Sequence, residues 1–229
     1  VASTKTGTVP KLTDANTTIT KSPNDWTTQE VTATVTTTEK NYALQTKKDN
    51  GEWQTTNSQK YTENGTIYAR LWDGTNAGEE IYKPITNIDK TAPTATNIEI
   101  KNVTPAGYDV YVYGVKDNGS GVNRVQFPTW TEAKGQDDIQ PNWQTGESSK
   151  GTKQADGTTW VYHVNITDHK TEAGEYNTHI YAYDNLGNGK CIGTQKVTIP
   201  MVKITYDENY VKDGTTNKQT VEKVYNTEL

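Results

Sequence analysis

The sequence predicts an all-β protein built as two antiparallel sandwiches in tandem. Three observations lead there. Apolar and polar residues alternate with a period of two in many short runs. Asn-Gly and Asp-Gly pairs punctuate those runs. No stretch carries a convincing helical stripe.

The runs are taken in chain order. Val31, Ala33 and Val35 alternate with Thr32, Thr34 and Thr36. Ile67, Ala69 and Leu71 alternate with Tyr68, Arg70 and Trp72. Tyr108 to Tyr113, Val161 to Ile166, Ile180 to Tyr183 and Lys196 to Ile199 continue the series. Each is rich in the β-branched and aromatic residues that suit a pleated, half-buried surface. Between them lie Asn50-Gly51, Asn64-Gly65, Asp73-Gly74, Asn118-Gly119, Asp156-Gly157, Asn188-Gly189 and Asp213-Gly214. Such pairs supply the positive φ angles of hairpin turns. Short strands with closely spaced turn signals are the pattern of sandwiches.

Composition narrows the class further. Hydrophobic residues make up only 31% of the 229 residues, yet there are 14 Tyr and 6 Trp against 1 Phe and 1 Met. Disordered chains are poor in aromatic and β-branched residues, so low hydropathy here points to thin sheets with one wet face. The net charge of −5 is spread without a basic patch, which argues against nucleic acid as a partner. No run approaches the ~18 apolar residues of a membrane span. The start carries no pattern of a signal peptide. The single cysteine, Cys191, excludes an intrachain disulfide and reads as a small buried hydrophobe in a strand.

A junction falls at Asn87 to Thr94, where Pro93 forces extended geometry on Ala92. The halves on either side echo one another. Gly65 to Gly78 and Thr178 to Gly189 both run an Ile-Tyr-Ala strand into Asp, a turn and Asn-x-Gly. This sets Ile67 beside Ile180 and Asp73 near Asp184, as matching strands of two related sandwiches. The expected organisation is an arm or linker over 1–15, a sandwich over 16–90 and a second over 91–200. Residues 201–229 are then the start of a truncated third unit or a pairing arm.

Trp26, the alternation of Val31 to Thr37, Gly51-Glu52-Trp53 and the run from Asn64 to Asn76 resemble a bacterial Ig-like repeat of clostridial and phage surface proteins. Val122 to Trp130, Gly135-Gln136-Asp137-Asp138, His169 and Gly174 to Gly189 resemble the GBS Bsp-like repeat. That resemblance covers nearly all of Thr91 to Ile199 and departs from it over Pro141 to Asp156. It implies an Ig-like fold and an extracellular context, on a phage virion or tail, or on a Gram-positive surface. There such modules resemble spacers and wall-binding units of surface proteins and cell-wall hydrolases. The implied partners are cell-wall polysaccharide, a host surface glycan or other subunits of the same assembly.

The residues that could carry chemistry read mainly as structure. His163, His169 and His179 lack zinc-ligand spacing, although His163 and His179 could meet across strands. Adjacent Asp137 and Asp138 cannot form an acid–base pair, but a loop Asp can cap backbone amides. Asp117 and Asp184, with Asn118 and Asn185, are weak calcium candidates at one pole, and calcium needs six to eight oxygens. Ser120 lacks a nucleophile elbow. No catalytic set and no cofactor is expected. Trp130 and Trp160 are expected in or near the core. Trp143, in a polar loop, is expected to be exposed and is the leading ligand-contact candidate. Trp130, Asp137, Asp138 and His179 complete that candidate site, because flat rings suit sugar faces and nearby polar groups suit hydroxyls.

Far-UV circular dichroism should show a β spectrum. A helical fraction above about a quarter would overturn the architecture, since ordinary domains average about a third helix.

Overall fold

The computed structural model describes residues 8–207 and 218–223. The chain divides into two compact units, Val1–Lys90 and Thr91–Leu229. Both are all-β, and the described residues hold three-ten turns but no α-helix. No helix is long and apolar enough to cross a membrane among the described residues.

The first unit holds β1 (Thr17–Ser22), β2 (Val31–Thr37), β3 (Ala43–Lys48), β4 (Ser58–Tyr61), β5 (Gly65–Trp72) and β6 (Ile81–Ile85). They form two antiparallel sheets, ordered β1-β2-β4 and β3-β5-β6. The inward residues of both sheets share one core. Val31, Ala33 and Val35 from β2 meet Ile67, Ala69 and Leu71 from β5, all 0–1% exposed. Val9 and Leu12, ahead of β1, are buried in the same cluster.

The second unit begins with β7 (Asn97–Thr104), β8 (Gly107–Tyr113), β9 (Val122–Gln126), β10 (Thr129–Thr131) and β11 (Thr152–Lys153). It continues with β12 (Trp160–Asn165), β13 (Gly174–Asp184) and β14 (Gly189–Ile199). One sheet is ordered β11-β12-β8-β7; in the other, β13 pairs with β14, β10 and β9. Tyr108, Val110 and Val112 of β8 share a core with Tyr176, Ile180 and Ala182 of β13. Several hydroxyls inside that core pair with one another. The Tyr108 hydroxyl meets Thr178 Oγ1 at 2.8 Å, and Thr178 meets Thr129 Oγ1 at 2.9 Å. This joins the two sheets by hydrogen bonds where apolar contact alone would leave hydroxyls unpaired. Trp130 and Trp160 are buried, at 9% and 4% exposure.

Beyond β14, β15 (Val202–Asp207) and β16 (Lys218–Lys223) form a two-stranded hairpin. Residues 208–217, with the Asp213-Gly214 pair, residues 224–229, and residues 1–7 of the expected arm lie outside the described residues.

The echo between the halves has a physical basis. The Asp73 carboxylate accepts the Thr75 and Asn76 amides, and that of Asp184 accepts the Leu186 and Asn188 amides. Each Asp therefore closes the turn after its long strand with its own side chain.

Three expectations need correction. The turn pairs do not all use positive φ: Gly74 and Gly157 do, while Gly51, Gly65, Gly119 and Gly189 do not. Gly189 is needed for a different reason, since a Cβ there would run into the Tyr183 ring. Cys191 is exposed, not buried. A bulge between Ile180 and Tyr181 inserts an extra residue in β14, so Ile192 packs on the core and Cys191 turns outward. His163 and His179 do not meet. His163 lies on β12 and pairs with Asp109 at 2.6 Å, whereas His179 lies on β13 of the other sheet.

Replacing Ile180, which is fully buried, with alanine should cost the second unit about 2–5 kcal/mol. In urea unfolding followed by a probe in each unit, Ile180→Ala should lower the midpoint of the second and leave the first unchanged. Residues 91–200 expressed alone should still unfold cooperatively. Equal loss in both units would mean that they do not fold independently.

Candidate functional site

β13 has eleven residues, and its alternation sorts them. Tyr176, Thr178, Ile180, Ala182 and Asp184 are buried, and His179, Tyr181 and Tyr183 stand on the opposite face. Neighbouring strands bring more rings to that face. Trp130, on β10 opposite Asn177, sets its ring edge-on to His179 at 4.7 Å. Tyr181 lies 6.5 Å from His179 and 4.7 Å from Trp143. Arg124 of β9 lies opposite Tyr183, with its guanidinium carbon 4.1 Å from the ring centre. The result is a continuous aromatic face.

Trp143 reaches it from the long loop between β10 and β11. Asn142 adopts a left-handed φ of 53°, and its carbonyl accepts the Thr145 and Gly146 amides. The Ser149 hydroxyl donates to the Trp143 carbonyl, its oxygen lies 3.0 Å from Gln126 Oε1, and Arg124 Nε donates to the Gln144 carbonyl. The tight turn thus folds the indole back onto Tyr181. Trp143 is half-buried, not the solvated side chain expected of a polar loop. Beneath the loop, Gln126 is wholly buried and its Nε2 has no hydrogen-bond partner.

The Asp137-Asp138 pair does different work. Asp138 is buried, and its carboxylate accepts the Thr131 amide at 3.1 Å. Gln140 Oε1 accepts the Thr129 amide at 2.9 Å, and Gln140 Nε2 donates to the Tyr162 hydroxyl. The loop from Gly135 therefore clamps the short strand β10, which carries Trp130. Asp137 pairs with Lys170 at 2.6 Å. Neither aspartate joins the aromatic face directly.

His169 lies behind the clamp, with no exposure. Its Nδ1 is 3.2 Å from the Asp138 carbonyl and 3.4 Å from its Oδ2, which assigns the ring proton to Nδ1. Nε2 is enclosed and unpartnered. Burial holds the imidazole below its ordinary pKa, against the opposing pull of the Asp138 charge. Burial also lowers His179.

Asp117 and Asp184 approach one another, with carboxylate oxygens within 4.8 Å. Asp117 Oδ2 accepts the Gly119 and Gly121 amides, and Asp184 accepts from Leu186 and Asn188. Asp117 Oδ1 is enclosed without a donor. The two side chains act first as turn closures. As donors they offer far fewer than the six to eight oxygens that calcium takes.

Of the sequence candidates, then, Trp130, His179 and Trp143 come together, while Asp137, Asp138, Asp117 and Asp184 lie apart from them. Tyr181, Arg124 and Gln126 are additions. Tyr181 and Tyr183 stand two and four residues from His179, a strand spacing that places all three on one face. Nothing local marks Gln126 or Arg124, which reach the face only through strand pairing.

This is the unit that comparison with known families picks out. A GBS Bsp-like repeat is found at residues 95–197. No curated protein matches the chain. Among solved structures, the chain is similar to the FN1-FN3 domains of chicken CNTN1, at 14% identity and a TM-score of 0.36. That alignment covers 76% of this chain, and the chain spans 63% of the chicken structure's length. It is also similar to the fibronectin(III)-like modules of Clostridium thermocellum CbhA, at 14% identity and a TM-score of 0.30. There the alignment covers 80% of this chain and 94% of the other.

The buried imidazole sets a pH dependence. With its folded pKa below the unfolded value, His169 stabilises the fold above pH ~6.5, and that contribution is lost as the pH falls below it. Between pH 7.5 and 5 the second unit should lose stability, with His169 adding a slope of at most ~1.4 kcal/mol per pH unit. His169→Gln should be less stable at pH 7.5 but show a flatter profile in urea titrations. An unchanged slope would assign the dependence to other groups.

Proposed function

We propose that the chain is a non-enzymatic adhesion and spacing segment. Its setting is a phage virion or tail appendage, or a Gram-positive surface protein. The observation that carries this reading is the outward face of the β13 sheet, where His179, Tyr181 and Trp143 form one aromatic surface backed by the buried Trp130. Aromatic rings stack on the C–H faces of sugars, which suits a shallow, ring-lined face. The strands hold His179 and Tyr181 in place, and the hydrogen-bonded turn at Asn142 holds Trp143 against them. The GBS Bsp-like repeat at residues 95–197 supports an extracellular setting, with wall polysaccharide or a host glycan as the partner.

A second reading shares the same face. The chain is then the wall-binding accessory module of a peptidoglycan hydrolase, and the catalytic work belongs to another part of the parent protein. The support for it is the fixed packing of Trp143 on Tyr181, which prepares the site before any ligand arrives.

Purified Gram-positive cell walls test both. The wild-type chain should be retained in a sedimentation assay, and Trp143→Ala should weaken retention about ten-fold, or ~1–2 kcal/mol. The variant should remain folded by circular dichroism, because Trp143 lies outside the buried core. No retention of the wild type would remove the binding role and leave a passive spacer.

A further inference from the structure

The first unit carries a surface of its own, on the outer face of the β3-β5-β6 sheet. Along β5, Tyr68, Arg70 and Trp72 alternate with the buried Ile67, Ala69 and Leu71. Lys47 lies opposite Tyr68 on one side, and Tyr82 lies opposite it on the other. Trp53 is brought over this face by reciprocal backbone hydrogen bonds between Thr46 and Gln54, both 2.9 Å.

The six side chains form an alternating row. Arg70 lies 4.1 Å from the Trp53 ring centre and 5.8 Å from that of Trp72. Lys47 lies 4.8 Å from Trp53 and 4.9 Å from Tyr68. Tyr68 and Tyr82 have ring centres 6.0 Å apart. A stack of this kind stabilises a sheet surface by cation–π attraction. Two features go beyond that role.

First, one of the two cations, Arg70, has no acid partner among the described residues, while Lys47 has only a long pair. A guanidinium stacked by its face keeps its in-plane N–H groups free for a planar anion. Arg70 Nε donates to the neutral Gln45 Oε1 at 2.9 Å. No carboxylate lies within ion-pair distance of Arg70 among the described residues. The acid facing Lys47 is Glu80, at 3.9 Å and half-exposed. Second, the row ends in an open ring, because Tyr82 is 68% exposed. Large exposed aromatics mark interaction surfaces.

We propose that this face binds an acidic polysaccharide through its hexuronate residues. The carboxylate sits against the edge of Arg70 and the Lys47 ammonium. The pyranose C–H faces lie on the open rings, Tyr82 foremost. Charge alone would suit any polyanion, but the open rings add a stacking surface that a sugar ring beside each acid would use. This site lies on the first unit and does not depend on the reading of the second.

The test uses the full chain and three probes in isothermal titration: an oligogalacturonate, the same oligomer fully methyl-esterified, and poly(glycerol phosphate). The acid oligomer should bind saturably. Esterification, which keeps the ring and removes the charge, should weaken binding at least about ten-fold. Poly(glycerol phosphate), which keeps charge without the ring, should bind more weakly than the acid oligomer. Arg70→Gln should lose about ten-fold or more, and Tyr82→Ala, at an exposed position, several-fold without unfolding. Trp143→Ala should leave oligogalacturonate binding unchanged, which separates this site from that of the second unit. The proposal is overturned by no saturable binding of the acid oligomer or by equal binding of its ester. It is equally overturned by equal or tighter binding of poly(glycerol phosphate), or by full affinity in folded Arg70→Gln and Tyr82→Ala.

Discussion

On β13 a side chain either enters the core with Ile180 and Ala182 or stands outside with His179 and Tyr181. The same holds on β5, where Ile67 and Ala69 go in and Tyr68 and Arg70 stay out. The chain has few apolar residues, so each of these inward positions matters to a thin core. A slip of one residue would bury Arg70 or His179 and expose the isoleucines. The register that protects the core therefore also fixes what each outer face displays. The shared Ile-Tyr-Ala triplet puts a tyrosine at the equivalent outward place in both units, Tyr68 in one and Tyr181 in the other.

The loops around the second unit show how polar residues replace the apolar area that the chain lacks. Asp138 and Gln140 take up the amides of Thr131 and Thr129, so a three-residue strand is held by side chains as well as by its neighbour β13. Asp156 does the same for Thr158 and Thr159, where hydrogen bonds from Thr159 and Thr158 hold its carboxyl below the usual range. Charge-assisted bonds of this kind are stronger than neutral ones, and they suit turns that carry little hydrophobic weight. His169 and Asp138 extend the pattern into the interior, where a neutral ring is held against a carboxylate and a carbonyl.

The all-β class and most long strands were legible because alternation is a local signal. So was the structural role of Asp138, since a loop aspartate next to a strand has amides to accept. What sequence could not show depends on pairing between distant strands. Cys191 points outward because a bulge opposite Ile180 and Tyr181 shifts the parity of β14. Gly189 is needed because Tyr183 passes close by, and neither residue reveals that alone. His163 and His179 fall in different sheets, a partition that spacing does not encode. Trp143 shows the same limit. Its polar neighbours mark a loop correctly, but the turn at Asn142 sends the ring back onto Tyr181.

The two faces also differ in a way that bears on their ligands. The chain has only two arginines, Arg70 and Arg124, and both stack on aromatic rings. Arg124 spends its Nε on the Gln144 carbonyl and helps fix the loop that carries Trp143. Arg70 spends its Nε on Gln45 and stands beside Lys47. Both arginines thus donate to neutral oxygens, and they differ in what they hold: Arg124 fixes a loop, while Arg70 stands in a row with Lys47. A shallow ring-lined face holds a sugar weakly, because little of the ligand is buried and most of its hydroxyls stay in water. A repeating polymer changes that limit. When one glycan chain engages two sites, the second contact becomes intramolecular, and avidity can exceed either affinity by about 10²–10⁴. The two proposed sites differ in chemistry, one ring-lined and one with an unpaired arginine, so together they would favour a heteropolymer of neutral and acidic sugars over either homopolymer.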